Sequence, residues 1–238
     1  MTFKRPLPIF LFGVCLLASY FLFRETWDAV DRAVFYFFNT RLVPGSLFLD
    51  VVAYTNVRLF DVIAFSAMGA LYFHYFYRKG NAGRRTMLCL GVLMLITAVC
   101  IKQGGNLIPI SHRSPTLVFD NVNRLSKLTA IVAKDASRNS FPGDHGMMLM
   151  IFAGFMARYF GRRAFAVAAL IVVVFAMPRI ASGAHWFSDV YMGSLAISCI
   201  MLSWFLLTPA SDFCAARLER LVPAWLFPPG QTGMFRKK

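Results

Sequence analysis

Charged residues are scarce in this sequence. Asp, Glu, Lys and Arg together supply 15% of its 238 residues, whereas a soluble domain of this size carries about 25%. Hydrophobic residues make up 58% of the chain, and the mean hydropathy is +0.59. This composition excludes an ordinary soluble domain and predicts an all-α protein that crosses a membrane several times.

Carboxylates are scarcer than cations, so the chain has a formal net charge of +14. Such a charge would suggest a nucleic-acid partner if the cations covered one face of a polar module. They stand instead in short clusters between apolar runs, and membrane topology explains them better than nucleic acid does. Internal repeats and low-complexity tracts are missing, so we expect residues 1–238 to form a single membrane domain.

The sequence lacks the patterns of disulfide-rich and metal-binding proteins. Four of the five cysteines lie in apolar segments, the fifth lies in the basic C-terminal region, and no CxxC pair occurs. Neither an HExxH motif nor paired carboxylates at ligand spacing are found. We therefore expect no metal and no cofactor.

Six apolar segments approach the length of about 20 helical residues that a hydrocarbon core requires. They comprise residues 7–23, 59–77, 87–108, 144–160, 164–181 and 188–208. They predict a bundle of six transmembrane helices. The first segment follows Lys4 and Arg5 but lacks an Ala-x-Ala cleavage pattern, so we interpret it as a retained signal anchor.

The stretch between the first two segments is amphipathic. In "WDAVDRAVFYFFNTRLV", apolar residues recur at helical spacing opposite Asp28, Asp31 and Arg32. This pattern predicts a helix that lies in the membrane interface, although an ordinary amphipathic connector would have the same pattern.

Clusters of Lys and Arg indicate the orientation of the chain. They stand at the N-terminus, in "RKGNAGRR" (78–85), in "RYFGRR" (158–163) and in the C-terminal tail. Six crossings place all four clusters on one side, and because such clusters face the cytoplasm we expect both termini there. The loop 109–143 and the turn 183–187 then lie on the outer side.

Three polar islands would share that outer side, at residues 102–115, 140–145 and 178–189. Ionisable groups at the ends of spans are costly, so several of them on one side predict a functional site.

In the third island, His185 stands four residues before Asp189, a spacing that places both on one helix face. The carboxylate of Asp189 would hold one imidazole nitrogen and aim the other at the site, which makes His185 a candidate nucleophile. A structural His–Asp pair that caps the sixth span is an equally good interpretation.

In the second island, "SFPGDH", we expect Ser140 to cap a helix that has Pro142 in its first turn. The free N–H groups of this helix start, near Gly143 and Asp144, would bind a phosphate. His145 would donate a proton to the departing oxygen. The alternative is a plain helix start with a surface histidine.

Arg113, Arg179 and Lys102 supply the positive charge that a phosphate site requires. Guanidinium groups match phosphoryl oxygens and stabilise a transition state with spread negative charge. Arginines at a membrane boundary also serve as headgroup anchors. Here they accompany two histidines and an aspartate, which favours catalysis.

These residues together resemble the signature motifs of the type 2 phosphatidic acid phosphatase (PAP2) superfamily of membrane phosphatases. The motifs are Arg113-x-Pro115, Pro142-x-x-His145 and Arg179-x5-His185-x3-Asp189. The family pattern is Lys-x6-Arg-Pro, Pro-Ser-Gly-His and Ser-Arg-x5-His-x3-Asp.

The chain departs from that pattern at several positions. Asn106 stands at the lysine position, with Lys102 one helical turn earlier as its substitute, and Ser114 is inserted before the proline. Gly143 and Asp144 replace Ser-Gly, which removes a hydroxyl that would bind phosphate and adds a carboxylate.

These departures, with the stretches "RSPTLVFDNVNRLSKL" and "GAHWFSD", resemble one branch of the family, the lipid A 1-diphosphate synthases of Gram-negative inner membranes. The resemblance implies transfer of phosphate from undecaprenyl diphosphate to the 1-phosphate of lipid A or Kdo2-lipid A at the periplasmic face. It implies His185 as the nucleophile, held by Asp189, and His145 as the acid, without a metal.

Two other functions are compatible with these residues. A phosphatase that hydrolyses undecaprenyl diphosphate or lipid A phosphate would use the same site. A transporter or channel would instead place its polar groups near the bilayer midplane.

The outer loop carries four further cations, which we interpret as contacts for anionic lipid headgroups, with a solvated loop as the alternative. They are Arg124, Lys127, Lys134 and Arg138. The sequence does not identify a regulatory partner such as a small membrane protein.

Overall fold

A computed structural model of the chain describes residues 6–105, 108, 110 and 113–223. All regular elements in these residues are helical, which confirms the predicted all-α class. In chain order they are α1 (Pro6–Leu22), α2 (Arg24–Asn39), α3 (Leu47–Tyr54), α4 (Arg58–Tyr77), α5 (Asn81–Gly105), α6 (Pro115–Val118), α7 (Leu125–Leu128), α8 (Asp144–Phe160), α9 (Arg162–Ala181), α10 (Leu195–Leu207) and α11 (Ala210–Leu221), with a π-helical turn over Asp189–Ser194 before α10.

Four helices in the described part of the chain are long and apolar enough to cross a membrane. They are α4, α5 from Gly83 onward, α9, and the continuous stretch Asp189–Leu207. Helices α1 and α2 meet this criterion only as a pair, with a bend of 92° between them, and α8 has 17 residues. The structure therefore supports four or five spans, and the predicted count of six is not confirmed.

The amphipathic helix predicted before the second span is present as α2, but one side chain faces the other way. Asp31 was expected on the polar face, whereas it is only 5% exposed and Phe35 is buried beside it. The reason is a long-range contact, because the Asp31 carboxylate accepts hydrogen bonds from the backbone N–H and the hydroxyl of Ser188. Val30 and Phe37, which the helical spacing placed on the apolar face, are exposed.

Helix α8 lies at the centre of the bundle and packs against α5, α9 and α10, while α1 packs on α10. Its buried side chains point in all directions, as expected of a helix that is surrounded by others. They include Met147, Leu149, Ile151, Phe152, Phe155 and Met156. Helix α4, in contrast, is largely exposed, because only 6% of its span is buried within the chain.

The alternating helices divide the polar residues between the two ends of the bundle. One end contains the N-terminal turns of α4 and α8 and the C-terminal turns of α5 and α9. At the other end, basic side chains bond to α11 and the residue that follows it: Arg85 donates to the carbonyls of Glu219 and Val222, and Arg158 pairs with Asp212 at 2.8 Å. Among the described residues, the polar islands and the basic clusters at 78–85 and 158–163 are thus at opposite ends, as the sequence predicted, whereas Lys4, Arg5 and the last residues of the tail lie outside the described part of the chain.

Candidate active site

The first end of the bundle collects side chains from five helical elements and the turn that follows α9. They are Asp61 in the first turn of α4, Lys102 in the last turn of α5, His145 in the first turn of α8, Arg179 in the last turn of α9, His185 in the turn that follows, and Asp189 at the start of the π-helical turn. The structure therefore brings the second and third islands together, and it adds a residue of α4.

The turn that carries His185 depends on Gly183. This glycine has φ +73°, and a Cβ atom there would lie 2.8 Å from atoms of both Phe35 and Thr116. The backbone N–H of His185 then returns to the carbonyl of Arg179 at 3.1 Å. This bond sets the position of the histidine relative to the end of α9.

The Nδ1 atom of His185 lies 2.9 Å from the carbonyl oxygen of Ser140 and 3.5 Å from Oδ2 of Asp189. Both neighbours can only accept a hydrogen bond, so Nδ1 carries the proton and Nε2 carries the lone pair. The predicted contact with Asp189 is present, and the carbonyl of Ser140 is the nearer partner. This tautomer is the one that a nucleophilic Nε2 requires.

Asp189 also shapes the turn. Its Oδ2 atom accepts the backbone N–H of Trp186 at 2.8 Å, and its side chain is fully buried. The carboxylate therefore supports the backbone directly after His185 as well as the imidazole.

The prediction for Ser140 and Pro142 was wrong. Helix α8 begins at Asp144, because Gly143 is the first residue whose carbonyl accepts an intrahelical bond, from Met147 at 2.9 Å. Ser140 lies too far upstream to cap this helix. Its backbone oxygen holds His185 instead.

Gly143 joins the start of α8 to the π-helical turn. Its N–H donates to the carbonyl of Asp189 at 3.3 Å, and its own carbonyl accepts the hydroxyl of Ser194 at 2.8 Å. A Cβ atom at this position would lie 3.2 Å from the Ser194 hydroxyl. The N–H groups available to a phosphate are those of the next residues, which have no intrahelical acceptor.

Lys102 and Asp144 contact each other. The Nζ and Oδ2 atoms are 2.8 Å apart, and both side chains are about half exposed. Two of the predicted phosphate ligands therefore form an ion pair at the rim of the site. Asn106, the other residue proposed near this point, lies outside the described residues.

Asp61 is the functional residue that the sequence analysis missed. Its Oδ1 atom accepts a hydrogen bond from Nη2 of Arg179 and lies 3.8 Å from Nδ1 of His145, and its Oδ2 atom is 3.1 Å from Nζ of Lys134. Asn56 adds a second contact to the same guanidinium, at 3.4 Å. The available signal was a lone carboxylate two residues inside the predicted span 59–77.

Arg113 belongs to a segment that borders the turn of His185. Its backbone carbonyl accepts the indole N–H of Trp186 at 2.7 Å, and the residue is exposed. Ser114, the insertion in the family pattern, is buried and exchanges hydrogen bonds with the backbone of Ser137. The inserted serine therefore ties the first motif to the outer loop.

The four cations of the outer loop have different surroundings. Arg124 pairs with the buried carboxylate of Asp135 at 3.3 Å, and Lys134 pairs with Asp61. Lys127 and Arg138 are exposed. Lys134 thus belongs to the polar site.

Within the described residues, no group of three or more His, Cys, Asp or Glu side chains is placed to hold a metal ion. An apolar groove of about 620 Å³ between α8, α9 and α10 is lined by none of the polar site residues discussed above. Hydrogen bonds and ion pairs, not this groove, define the site.

A helical membrane bundle with a histidine held through Nδ1 and a buried arginine at one end is the arrangement expected of one class of protein, the membrane-embedded enzymes of phosphoryl chemistry. The PAP2 superfamily profile matches residues 112–212, which contain His145 and His185. A lipid A 1-diphosphate synthase of Escherichia coli (strain K12) is 46% identical over 214 residues, or 89% of this chain and 90% of that protein. This chain belongs to the PAP2 superfamily, as its motifs predicted.

A solved structure is also similar to the chain. It is that of a transmembrane PAP2-type phosphatidylglycerolphosphate phosphatase from Bacillus subtilis. The match covers 92% of this chain and 98% of the phosphatase, with 16% identity and a TM-score of 0.47.

Proposed function

We propose that this protein transfers a phosphoryl group from undecaprenyl diphosphate to the 1-phosphate of lipid A, giving lipid A 1-diphosphate and undecaprenyl phosphate. The 46% identity to a lipid A 1-diphosphate synthase supports this substrate pair. One observation supports the chemistry above all others: Nδ1 of His185 is held by the carbonyl of Ser140 beside Asp189, so that Nε2 is free to attack.

In the first step, Nε2 of His185 attacks the terminal phosphorus of the donor. The bond from that phosphorus to the bridging oxygen breaks, its electron pair stays on undecaprenyl phosphate, and His145 donates a proton to this oxygen. Arg113, Arg179 and the N-terminal turn of α8 stabilise the negative charge on the transferred group. The product is a phosphohistidine.

In the second step, an oxygen of the lipid A 1-phosphate attacks the phosphorus of the phosphohistidine. The P–N bond breaks and its electron pair returns to Nε2 of His185. Because the attacking oxygen is already anionic, it needs no base, whereas a water molecule would have to lose a proton. A site that positions an anionic acceptor therefore favours transfer over hydrolysis.

The same proposal includes a topology. Helices α1, α4, α5, α8, α9 and the stretch Asp189–Leu207 would cross the inner membrane, with α2 in the interface and both termini in the cytoplasm. The grouping of the site at one end and of Arg85 and Arg158 at the other supports this orientation. The site then faces the periplasm, where exposed Lys127 and Arg138 would contact anionic headgroups.

The test is a transfer assay on purified protein in detergent. The donor carries ³²P in its terminal phosphate, and lipid A is present or omitted. With lipid A present, we expect labelled lipid A to form; without it, we expect little release of labelled inorganic phosphate. We expect His185→Ala to abolish both the labelled lipid A and the acid-labile labelled protein. Arg217→Ala, an exchange on α11 at the opposite end of the bundle, serves as the control.

Two results would contradict the proposal. Release of inorganic phosphate at the same rate with and without lipid A, without labelled lipid A, would identify a phosphatase. Label transfer that persists in His185→Ala would exclude the phosphohistidine.

A further inference from the structure

The carboxylate of Asp61 connects four parts of the site. It lies in the first turn of α4 and contacts Arg179 of α9, Lys134 of the outer loop and His145 of α8. We infer that Asp61 is a positioning residue, which orients Arg179 and His145 for phosphoryl transfer. The inference rests on the proposed function and assigns a role to a residue that lies outside the three family motifs.

The contact with Arg179 meets a physical requirement. This side chain is 7% exposed, and a buried guanidinium is stable only beside a counter-charge and hydrogen-bond acceptors. Asp61 provides the charge, and Asn56 provides a neutral acceptor. A guanidinium has five N–H donors, so this anchoring leaves donors of Arg179 for phosphoryl oxygens.

The contact with His145 favours the imidazolium form of the ring. Nδ1 faces the Asp61 carboxylate at 3.8 Å, while Nε2 is buried and has no hydrogen-bond partner among the described residues. A carboxylate on the Nδ1 side favours the form in which Nδ1 is protonated and Nε2 carries the transferable proton. Asp61 would therefore do for the acid His145 what Ser140 and Asp189 do for the nucleophile His185.

Asp61 is also the point at which α4 joins the site. Only 6% of the α4 span is buried within the chain, and near its outer end Phe60 packs against Phe175 of α9, with ring centroids 4.8 Å apart. The bond to Arg179 and the ion pair with Lys134 add polar attachments at this end.

A carboxylate that only occupies the phosphate site would have a different effect on the kinetics from one that positions other residues. A carboxylate that merely occupies the place of the phosphate repels an incoming anion, so its removal would strengthen substrate binding. A positioning carboxylate lowers the barrier of the chemical step, so its removal would reduce kcat. The split between KM and kcat therefore distinguishes the two roles.

The experiment compares Asp61→Asn with Asp50→Asn in the transfer assay. Asparagine keeps an oxygen acceptor for Arg179 and removes the charge, and Asp50 is an exposed carboxylate in the first turn of α3. We expect kcat of Asp61→Asn to fall by about 100-fold, the size of effect that a small misplacement of reacting groups produces. KM should change much less, Asp61→Glu should recover part of the rate, and Asp50→Asn should match wild type.

The pH profile gives an independent readout. Arg179 and Lys134, which both pair with Asp61, carry positive charges that disfavour a positive imidazole at His145, whereas the Asp61 carboxylate in contact with that ring favours it. Its neutralisation should move the alkaline limb of the kcat profile to lower pH. A purely structural role would lower the amount of folded protein and leave this profile in place.

The outcomes separate the inference from the function on which it rests. If wild type transfers phosphate and Asp61→Asn has the same kcat and pH profile, or a lower KM with unchanged kcat, the inference is wrong. If wild type itself gives no labelled lipid A, the proposed function is wrong. A fall in kcat together with a shifted alkaline limb supports Asp61 as a positioning residue.

Discussion

Asp31 of α2 and Ser188 of the turn after α9 are joined by two hydrogen bonds. The backbone N–H of Ser188 lies 2.8 Å from Oδ1 of Asp31, and its hydroxyl lies 2.6 Å from Oδ2. Ser188 directly precedes Asp189, so helix α2 supports the segment that holds His185. A buried carboxylate in this place makes the support dependent on pH.

The first prediction concerns this dependence. Burial raises the pKa of Asp31 to about 6, above the value near 3.9 of an unfolded chain. The folded protein binds the proton more tightly, so the stability from this group is complete below about pH 4 and is lost as the pH rises through about 6. Between pH 4 and pH 8, wild type should lose on the order of 2–3 kcal/mol relative to Asp31→Asn.

Thermal unfolding of the two proteins in detergent at several pH values measures this difference. Asparagine loses one acceptor at every pH, so the constant offset between the curves carries no information. Parallel curves from pH 4 to pH 8 would show that Asp31 does not titrate in this range.

The second prediction concerns Lys102 and Asp144. Because the pair is about half exposed, it should contribute less than about 1 kcal/mol to stability. Its effect on anionic substrates should be larger. Asp144→Asn releases the lysine and removes a repulsive charge, so KM for lipid A should fall, while Lys102→Ala should raise it by about tenfold. Steady-state kinetics at two salt concentrations test this, and equal changes of KM in both variants would contradict it.

The third prediction uses two glycines with similar backbones. Gly45 and Gly183 have φ of +79° and +73°, but only at Gly183 would a Cβ atom meet neighbours, at 2.8 Å. Gly45→Ala should cost about 1 kcal/mol from backbone strain alone. Gly183→Ala should cost about 3 kcal/mol or more, because Phe35 and Thr116 must also move, and it should reduce transfer by displacing His185.

Unfolding midpoints and initial rates are the measurements for this pair of variants. If both alanines destabilise the protein equally, the contact around Gly183 is looser than described. If Gly183→Ala keeps full activity, the position of His185 does not depend on this turn.

The sequence predicted the parts of the site that are local in the chain. The spacing of His185 and Asp189 was enough to expect their contact, and the charge clusters were enough to predict which helix ends meet. The family to which the chain belongs also followed from these motifs.

The remaining contacts join residues that are distant in sequence. Ser140 and His185 are 45 positions apart, and Asp61 and Arg179 are 118 apart. The spacing of residues along the sequence does not predict which backbone carbonyl will face an imidazole, or which lone carboxylate will contact a guanidinium. The misplacement of Asp31 has the same origin, because helical spacing predicted a polar face but could not reveal a buried acceptor for Ser188.

Because little of α4 is buried within the chain, the surrounding bilayer should influence the rate of the reaction. This helix has 20 residues and a length of about 30 Å, close to the thickness of a hydrocarbon core. Within the chain it packs on α5 and α9 along one side, while the side that includes Val62, Phe65 and Phe73 is exposed and would meet acyl chains. A thinner or thicker membrane would tilt it and carry the Asp61 carboxylate with it, so the rate of phosphoryl transfer should report the thickness of the membrane in which the enzyme works.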